Sequence, residues 1–209
     1  MYMKKTILIL SIVTLFFAGC KKDDIFEKGD MGVVNGHAWV DLGLPSGTKW
    51  ATCNIGATSP EEYGDYFAWG ETSTKSYMSE NSLTDGKYMN DISGNAQYDA
   101  AVANWGGGWR MPTKSEMQEL IDKCTWTWTA QNGVNGYKVT STVNSNSIFL
   151  PAAGYRDGAS LNLAGYHGRY WSSTPNGNYS ASCLNFGSSS RSVSSNYRHY
   201  GRTVRPVIE

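Results

Sequence analysis

The clearest periodicity in the chain lies between Asn104 and Cys124, NWGGGWRMPTKSEMQELIDKC. Met117, Leu120, Ile121 and Cys124 fall at i, i+3, i+4 and i+7, which makes one face of a single helix apolar. Lys114, Glu119, Asp122 and Lys123 take the wetted side. Thr113 and Glu116 stand at T-x-x-E spacing, a capping box, and Pro112 stops the helix from extending backward. Gly106, Gly107 and Gly108 predict a tight turn at positive φ between Trp105 and Trp109. Nothing in this stretch is chemical equipment. It is scaffold.

Elsewhere the pattern predicts short strands and turns. Trp39–Leu42 and Lys49–Cys53 are two strands joined through Pro45-Ser46-Gly47, and Gly64–Trp69 is a further apolar-aromatic run. Residues 72–94 are polar and aperiodic, which predicts a long surface loop. Ala96–Val102 is weakly helical, with Tyr98, Ala101 and Val102 on one side. Beyond the central helix, Trp126-Thr127-Trp128-Thr129 alternates like a strand, and Asn132-Gly133 and Asn135-Gly136 are both hairpin-turn signals. Tyr137–Ser141, Ser147–Pro151, Tyr170–Ser173, Ser182–Phe186 and Thr203–Ile208 complete the predicted strands. There is no fixed-period repeat, and residues 36–209 are expected to form one domain.

The first 35 residues differ from the rest. Lys4 and Lys5 precede an apolar run, Ile7–Phe17, that is short for a membrane span, so residues 1–19 are expected to be a signal peptide. Phe17-Ala18-Gly19-Cys20 resembles the bacterial lipobox. That resemblance implies cleavage before Cys20, diacylglycerol on its thiol and a further acyl chain, such as palmitate, on the new amine. Each buried CH₂ contributes roughly 0.8 kcal/mol, so several chains make a lasting anchor. Lys21-Lys22-Asp23-Asp24 resembles the surface-export signal of Bacteroidetes lipoproteins. The expected address is the bacterial outer membrane, at the cell surface, with its periplasmic face as the alternative. Residues 20–35 would be a flexible tether, and the lipid would be the only membrane contact.

With 18 cationic and 18 acidic side chains the formal net charge is zero, which argues against bulk nucleic-acid binding by net charge. Aromatic residues make up 13% of the chain, too many for a disordered protein. In an exported protein Cys53, Cys124 and Cys183 cannot all pair with one another. A Cys53–Cys124 disulfide is expected, closing a loop of about 70 residues worth roughly 3–4 kcal/mol; three buried thiols are the alternative.

Seven segments carry a family resemblance: Val40-Asp41-Leu42-Gly43-Leu44-Pro45-Ser46-Gly47-Thr48, Trp50-Ala51-Thr52-Cys53-Asn54-Ile55-Gly56, Tyr66-Phe67-Ala68-Trp69-Gly70-Glu71, Trp109-Arg110-Met111-Pro112-Thr113, Phe149-Leu150-Pro151-Ala152-Ala153-Gly154-Tyr155, Tyr170-Trp171-Ser172-Ser173 and Val204-Arg205-Pro206-Val207. In order and spacing they resemble the Fibrobacter succinogenes major paralogous domain. The resemblance implies an α+β, C-type lectin-like fold: two small antiparallel sheets, two helices and long irregular loops.

Signals for catalysis are poor. There is no G-x-S-x-G, H-E-x-x-H, C-x-x-C or P-loop. His37, His167 and His199 have no acidic or cysteine neighbours at metal-ligand spacing, and His37, near a strand start, is expected to be structural. Asp91-x-Ser93-x-Asn95 lacks the glycine and closing glutamate of a calcium loop. The calcium and sugar tripeptides of true C-type lectins are absent. No catalytic residue, metal or cofactor is expected. The fold implied by the resemblance is shared by formylglycine-generating enzymes, the weaker alternative, whose cysteine pair has no clear counterpart here. Trp50, Trp69, Trp105, Trp109, Trp126, Trp128 and Trp171 are expected to be buried scaffold rather than sugar platforms.

The sharper signal is compositional. Between Asp157 and Ile208 there is no Lys, Glu, Gln or Met; Ser, Asn, Gly, Tyr, Arg and His fill the stretch. Tyr gives rigid amphipathic area at low entropy cost, Ser, Gly and Asn give adaptable hydrogen bonds, and Arg gives anchors, as in an antibody paratope. After Asp157 every charge is positive until Glu209. Lys, Glu, Gln and Met are, with Trp, the residues that codons ending in C or T cannot encode; Trp171 stands among the framework residues Trp171-Ser172-Ser173. The segment therefore resembles the variable region of C-type lectin-like targets of diversity-generating retroelements. The positions expected to contact a ligand and to vary are Tyr166, His167, Arg169, Asn178, Tyr179, Ser182, Cys183, Asn185, Ser190, Arg191, Tyr197, His199 and Tyr200. The expected function is lipid-anchored capture of a protein or glycan ligand through these C-terminal loops. The alternative is a structural or adhesive subunit of a cell-surface assembly.

Overall fold

The computed structural model describes residues 29–209; the expected signal peptide, the lipidation expected at Cys20 and the first part of the expected tether lie outside the described residues. β1 (Met31–Val34) and β2 (His37–Asp41) form a hairpin, and β3 (Lys49–Ala51) pairs on the other side of β2. Met31–Val34, expected in the tether, is thus already part of a sheet. A stretch of nearly 50 residues without a strand or helix then leads to α1 (Ala100–Trp105) and α2 (Lys114–Lys123). β4 (Cys124–Gln131), β5 (Val134–Ser141) and β6 (Ser147–Pro151) form an antiparallel meander. β7 (Tyr155–Asp157) and β8 (Ser160–Asn162) make a small hairpin. β9 (His167–Asn176), β10 (Ser180–Gly187) and β11 (Ser190–Tyr197) make a second meander with β11 at its edge. β12 (Val207–Ile208) returns to pair with β3.

The described residues are mostly β, with two short helices and four small antiparallel sheets rather than the two expected. The extra strands are too short or too polar to show a period: β7 and β8 have three residues each, and β11 reads SRSVSSNY.

α2 forms where the capping box places it. The Thr113 hydroxyl accepts from the Glu116 amide at 3.3 Å, and the Glu116 carboxylate accepts from the Thr113 amide at 2.7 Å. Met117, Leu120 and Cys124 are buried and Ile121 is half-buried. α1 begins later than its composition suggests, because Asp99 takes the N-cap position and accepts from the amides of Ala101 and Val102 at 2.8 and 3.2 Å. Gly106, Gly107 and Gly108 all have positive φ, as the turn between the tryptophans requires.

Two large apolar clusters share the interior, beside a small third one of Tyr66, Ala68 and Met78. α2 brings Met117, Leu120 and Cys124 against Trp50, Trp126, Tyr137, Tyr170, Leu184 and Phe186. The second cluster gathers Trp69, Trp105, Trp109, Met111, Trp171, Ala181, Cys183 and Val204. The β9–β10–β11 sheet lies between them, so alternate residues of β9 and β10 enter different clusters. Apart from half-buried Trp128, the tryptophans of the motifs are buried scaffold. His37 is structural too, its ring stacked on Trp105 at 3.7 Å, and desolvation lowers its pKa.

Three other expectations are corrected. Asn132-Gly133 turns the β4–β5 hairpin with both residues at positive φ, but Asn135-Gly136 lies inside β5. Gly136 is there for close approach, since a Cβ would collide with the Leu150 carbonyl and the Phe149 ring. Of the predicted strand Thr203–Ile208, only the last two residues form β12; the Gly64–Trp69 run makes an isolated bridge from Phe67 to Arg202. The Cys53–Cys124 disulfide is not formed. Cys124 is a free thiol, held in the α2 cluster by its place at the helix end, whereas Cys53 follows β3 beside the Thr52 hydroxyl.

Glu116 does more than cap. It accepts from Arg110 at 2.6 and 2.9 Å and from the Thr48 hydroxyl at 2.7 Å, which ties the helix start to the chain before β3. Burial alone would raise its pKa, but the bonds from Arg110, the Thr113 amide and Thr48 outweigh it and hold the group at about 2. The carboxylate's stabilisation is therefore full above the ordinary pKa of 4.5 and is lost as pH falls toward about 2. It is on the order of 3 kcal/mol at neutral pH. Denaturant melts of the wild type between pH 6 and pH 2 should show this loss, and Glu116→Gln should start lower and flatten that limb. A mutant as acid-sensitive as the wild type would mean that other carboxylates govern the transition.

Candidate functional site

Beyond β11 the chain turns back through Arg198, His199, Tyr200 and Gly201. Gly201 exchanges both backbone hydrogen bonds with Arg156, at 2.7 and 2.9 Å, and this brings the segment against β7. A continuous aromatic ridge results. Tyr197 stacks on His199 with centroids 5.6 Å apart, His199 lies 4.6 Å from Tyr200, and Tyr200 meets Tyr155 edge-on at 5.4 Å. The Arg169 guanidinium lies 6.0 Å from the Tyr155 ring and closes the row. Asp85 approaches from the long loop, its carboxylate 3.7 Å from His199 Nδ1.

At the Arg169 end, β9 and β10 pair Arg169 opposite Asn185. The Asn185 amide oxygen accepts from Arg169 Nη1 at 2.8 Å and from Arg202 Nη1 at 3.0 Å. Its amide nitrogen donates to the Ser194 hydroxyl on β11 at 2.6 Å. Arg202 is only 1% exposed, with its guanidinium 4.5 Å from the centre of the Trp171 ring. Burial pushes its pKa down to about 10, so it stays cationic at neutral pH.

The other buried arginines of this segment are fully engaged. Arg198 donates to the carbonyls of Ser180, Thr84, Lys87 and Gly177 at 2.7–3.2 Å. Arg205 donates to the Asn54 side chain and to the carbonyls of Ala51, Thr52 and Phe149. These two are braces that hold loops. The side chains of Arg169 and Arg202 each make one hydrogen bond among the described residues.

The expected contact residues separate into groups. Tyr197 is 55% exposed and sits with half-buried His199 and Tyr200 on the ridge, which Arg169 and Asn185 join. Exposed Asn178 and Tyr179 (62%) lie at the same end of the sheet as Tyr197, because Ser180 pairs with Tyr197 and the Arg198 amide donates to the Tyr179 carbonyl. Tyr166, 73% exposed, and half-buried His167 sit at the opposite end, where His167 pairs with Gly187. Ser190 starts β11 at that far end. Arg191 pairs with Phe186 and lies 5.7 Å from the Trp126 ring, on the α2 side. Ser182 and Cys183 are buried at 3% and 0%, which corrects their place among the contacts: both faces of β10 are covered there. Tyr155, Arg202 and Asp85 belong to the ridge although sequence reasoning did not nominate them. Tyr155 was available only as part of a scaffold motif, and Arg202 only as one of several cations.

Other chemistry is spent internally. Asp91 accepts from the Ser93 amide at 3.0 Å and the Thr174 hydroxyl at 2.6 Å. Among the described residues no group of three or more His, Cys, Asp or Glu could hold a metal ion. Cys183 Sγ contacts the Ser194 carbonyl and Asn185 rather than any base.

A family model described as "Domain of unknown function (DUF8237)" matches residues 128–207, which run from within β4 to the start of β12 and so include the whole ridge apart from Asp85. No curated protein and no solved structure matches the chain.

Burial pushes the Cys124 thiol up to about 11, with Glu119 adding to the shift. Alkylation with iodoacetamide at pH 8 should leave Cys124 and Cys183 unmodified in the native protein and label both once it is unfolded, as read by peptide mass spectrometry. Native labelling of Cys183 would mean that the β10–β11 pair opens in solution.

Proposed function

We propose that this protein is a lipid-anchored, extracytoplasmic binding module with a C-type lectin-like fold, capturing a protein or glycan through the ridge that runs from Tyr179 and Tyr197 to Arg169. The observation that carries this is the ridge itself: Tyr197, His199, Tyr200 and Tyr155 in serial contact, part exposed and ending on a cation. Aromatic anchors on a rigid base lose little conformational entropy on binding. The return of the chain end to the first sheet, two short helices and a long loop between β3 and α1 support the lectin-like fold. No helix among the described residues is long and apolar enough to cross a membrane, so attachment in this proposal rests on the lipid at Cys20. The role proposed is binding rather than catalysis, because the ridge joins no nucleophile to a base.

If three anchors each supply roughly 2 kcal/mol, the Kd sits at tens of micromolar, and many anchored copies tighten it by avidity. The detergent-solubilised full chain should capture ligands on a glycan array or from a panel of surface proteins. The triple variant Tyr179→Ala, Tyr197→Ala, Tyr200→Ala should lose that capture while keeping its melting temperature within a few degrees. Capture unchanged by the three substitutions would place the binding surface elsewhere.

The alternative of a structural or adhesive subunit draws on one feature: β11 is a mostly exposed edge strand open to pairing with another chain.

We further propose that the exposed positions of this segment are sequence-diversified. Tyr166, Asn178, Tyr179, Ser190, Arg191 and Tyr197 all reach solvent and could change at little cost to folding. Sequencing the gene and its flanks from sibling isolates should reveal a near-copy of the C-terminal segment differing at adenines. Invariant sequence with no such copy would sink this part of the proposal.

A further inference from the structure

Arg169 and Arg202 share one neutral acceptor, the Asn185 amide oxygen, and that is an odd arrangement for two buried or half-buried cations. Two guanidinium groups converging on one oxygen repel each other, and an amide oxygen carries only a partial charge to offset them. Neither takes part in any of the four ion pairs of the described residues. The Nε donors of both are buried and find no hydrogen-bond partner among the described residues. Arg198 and Arg205, equally buried, spend their donors on carbonyls, so this segment can satisfy an arginine where the arginine is a brace. At Arg169 and Arg202 positive charge and unspent donors remain instead.

The surroundings narrow what would complete the pair. Arg169 is half-buried, so the pair is reached from its side, with Arg202 as the floor over Trp171. Tyr155 lies under Arg169, Tyr200 meets Tyr155 edge-on, and Tyr197 and His199 continue the row with their rings 11° from parallel. A guanidinium takes a planar carboxylate in a two-pronged bond. Aromatic faces beside it offer flat apolar area with polar tips, which suits the C–H faces and hydroxyls of a pyranose ring.

We propose that Arg169 and Arg202 form an anion seat for the carboxylate of an acidic sugar, whose ring lies along Tyr155 and Tyr200. This rests on the ridge being the binding surface and adds the class of ligand. Arg169 makes the direct bond, while Arg202 supplies charge from below and, through Asn185, fixes the angle of Arg169.

The test is a titration of the full chain in detergent with glucuronate, glucose and glutamate, followed by the arginine Nε–H and tryptophan indole resonances. Glucuronate should move the Arg169, Arg202 and Trp171 signals saturably, and glucose should not. Glutamate, with the carboxylates but no ring, should bind several-fold more weakly. Arg169→Gln should weaken glucuronate roughly tenfold or more, the scale of losing a charge-assisted hydrogen bond, and added salt should weaken it in the wild type. Because Arg202 is buried, Arg202→Lys serves as the second variant, scored only if its melting temperature is preserved; it should weaken glucuronate too.

Equal binding of glucose and glucuronate, or glucuronate binding that Arg169→Gln leaves intact, overturns the seat. Glutamate binding as well as glucuronate overturns the sugar. If glucuronate fails while capture by Tyr179, Tyr197 and Tyr200 persists, the seat falls and the ridge stands. Loss of both removes the ridge as well.

Discussion

Backbone carbonyls that no sheet can satisfy set the main constraint on this fold, and buried arginines meet it. Nearly 50 residues separate β3 from α1 without a strand or helix. Such a chain presents donors and acceptors that must be paired wherever it is buried. Arg205 reaches from the C-terminal segment to the carbonyls of Ala51 and Thr52, the Asn54 side chain and the Phe149 carbonyl, and so fastens β3, the loop after it and β6 at one point. Arg198 does the same for residues 84 and 87 of the long loop and for the β9–β10 turn at Gly177. A guanidinium has five donors in a fixed plane, so one side chain can orient several segments together. Leaving its charge buried without a carboxylate is costly, and the several bonds to carbonyl dipoles offset that cost.

These braces fix the ridge in place. Arg198 stands between Tyr197 and His199 in sequence, and with its side chain held by four carbonyls its two neighbours have little freedom to move. Arg202 stands beside the Gly201 bridge to Arg156, which sets Tyr200 against Tyr155. The aromatic row is therefore an outcome of how the scaffold is closed.

The parts readable in advance were those with strong local rules. α2 followed from a capping box and an i, i+3, i+4, i+7 stripe, and the Asn132-Gly133 turn from two residues that tolerate positive φ. Asn135-Gly136 has the same composition but sits in β5, because Gly136 answers to the crowding of Leu150 and Phe149, a tertiary demand that no dipeptide shows. β11 was hidden by a serine-rich sequence without alternation, since an exposed edge strand has little apolar pattern to display. Composition pointed to tyrosine and arginine at the C-terminal end, and Tyr179, Tyr197 and Tyr200 do lie together. It could not separate Ser182 and Cys183, buried because the sheet is covered on both sides, from Asn185 two residues later. Nor could it tell a bracing arginine from one with donors to spare, a distinction set by whether carbonyls from distant segments arrive.

That distinction bears on why such a pair would be kept. A buried donor without a partner costs roughly 1–3 kcal/mol, and an apolar pair at residues 169 and 202 would pack beside Trp171 and Tyr155 without that cost. The chain instead holds two cations on one amide oxygen, an arrangement less stable than the alternatives its own neighbours Arg198 and Arg205 demonstrate. Instability of this kind is recovered when an anion arrives, because the desolvation has already been met in the free protein and the new bonds are charge-assisted. The same preorganisation selects against neutral ligands, which would cover the donors without satisfying them. A ridge of tyrosines alone would hold many surfaces weakly; with the arginine pair at its end, one register on one charge is preferred.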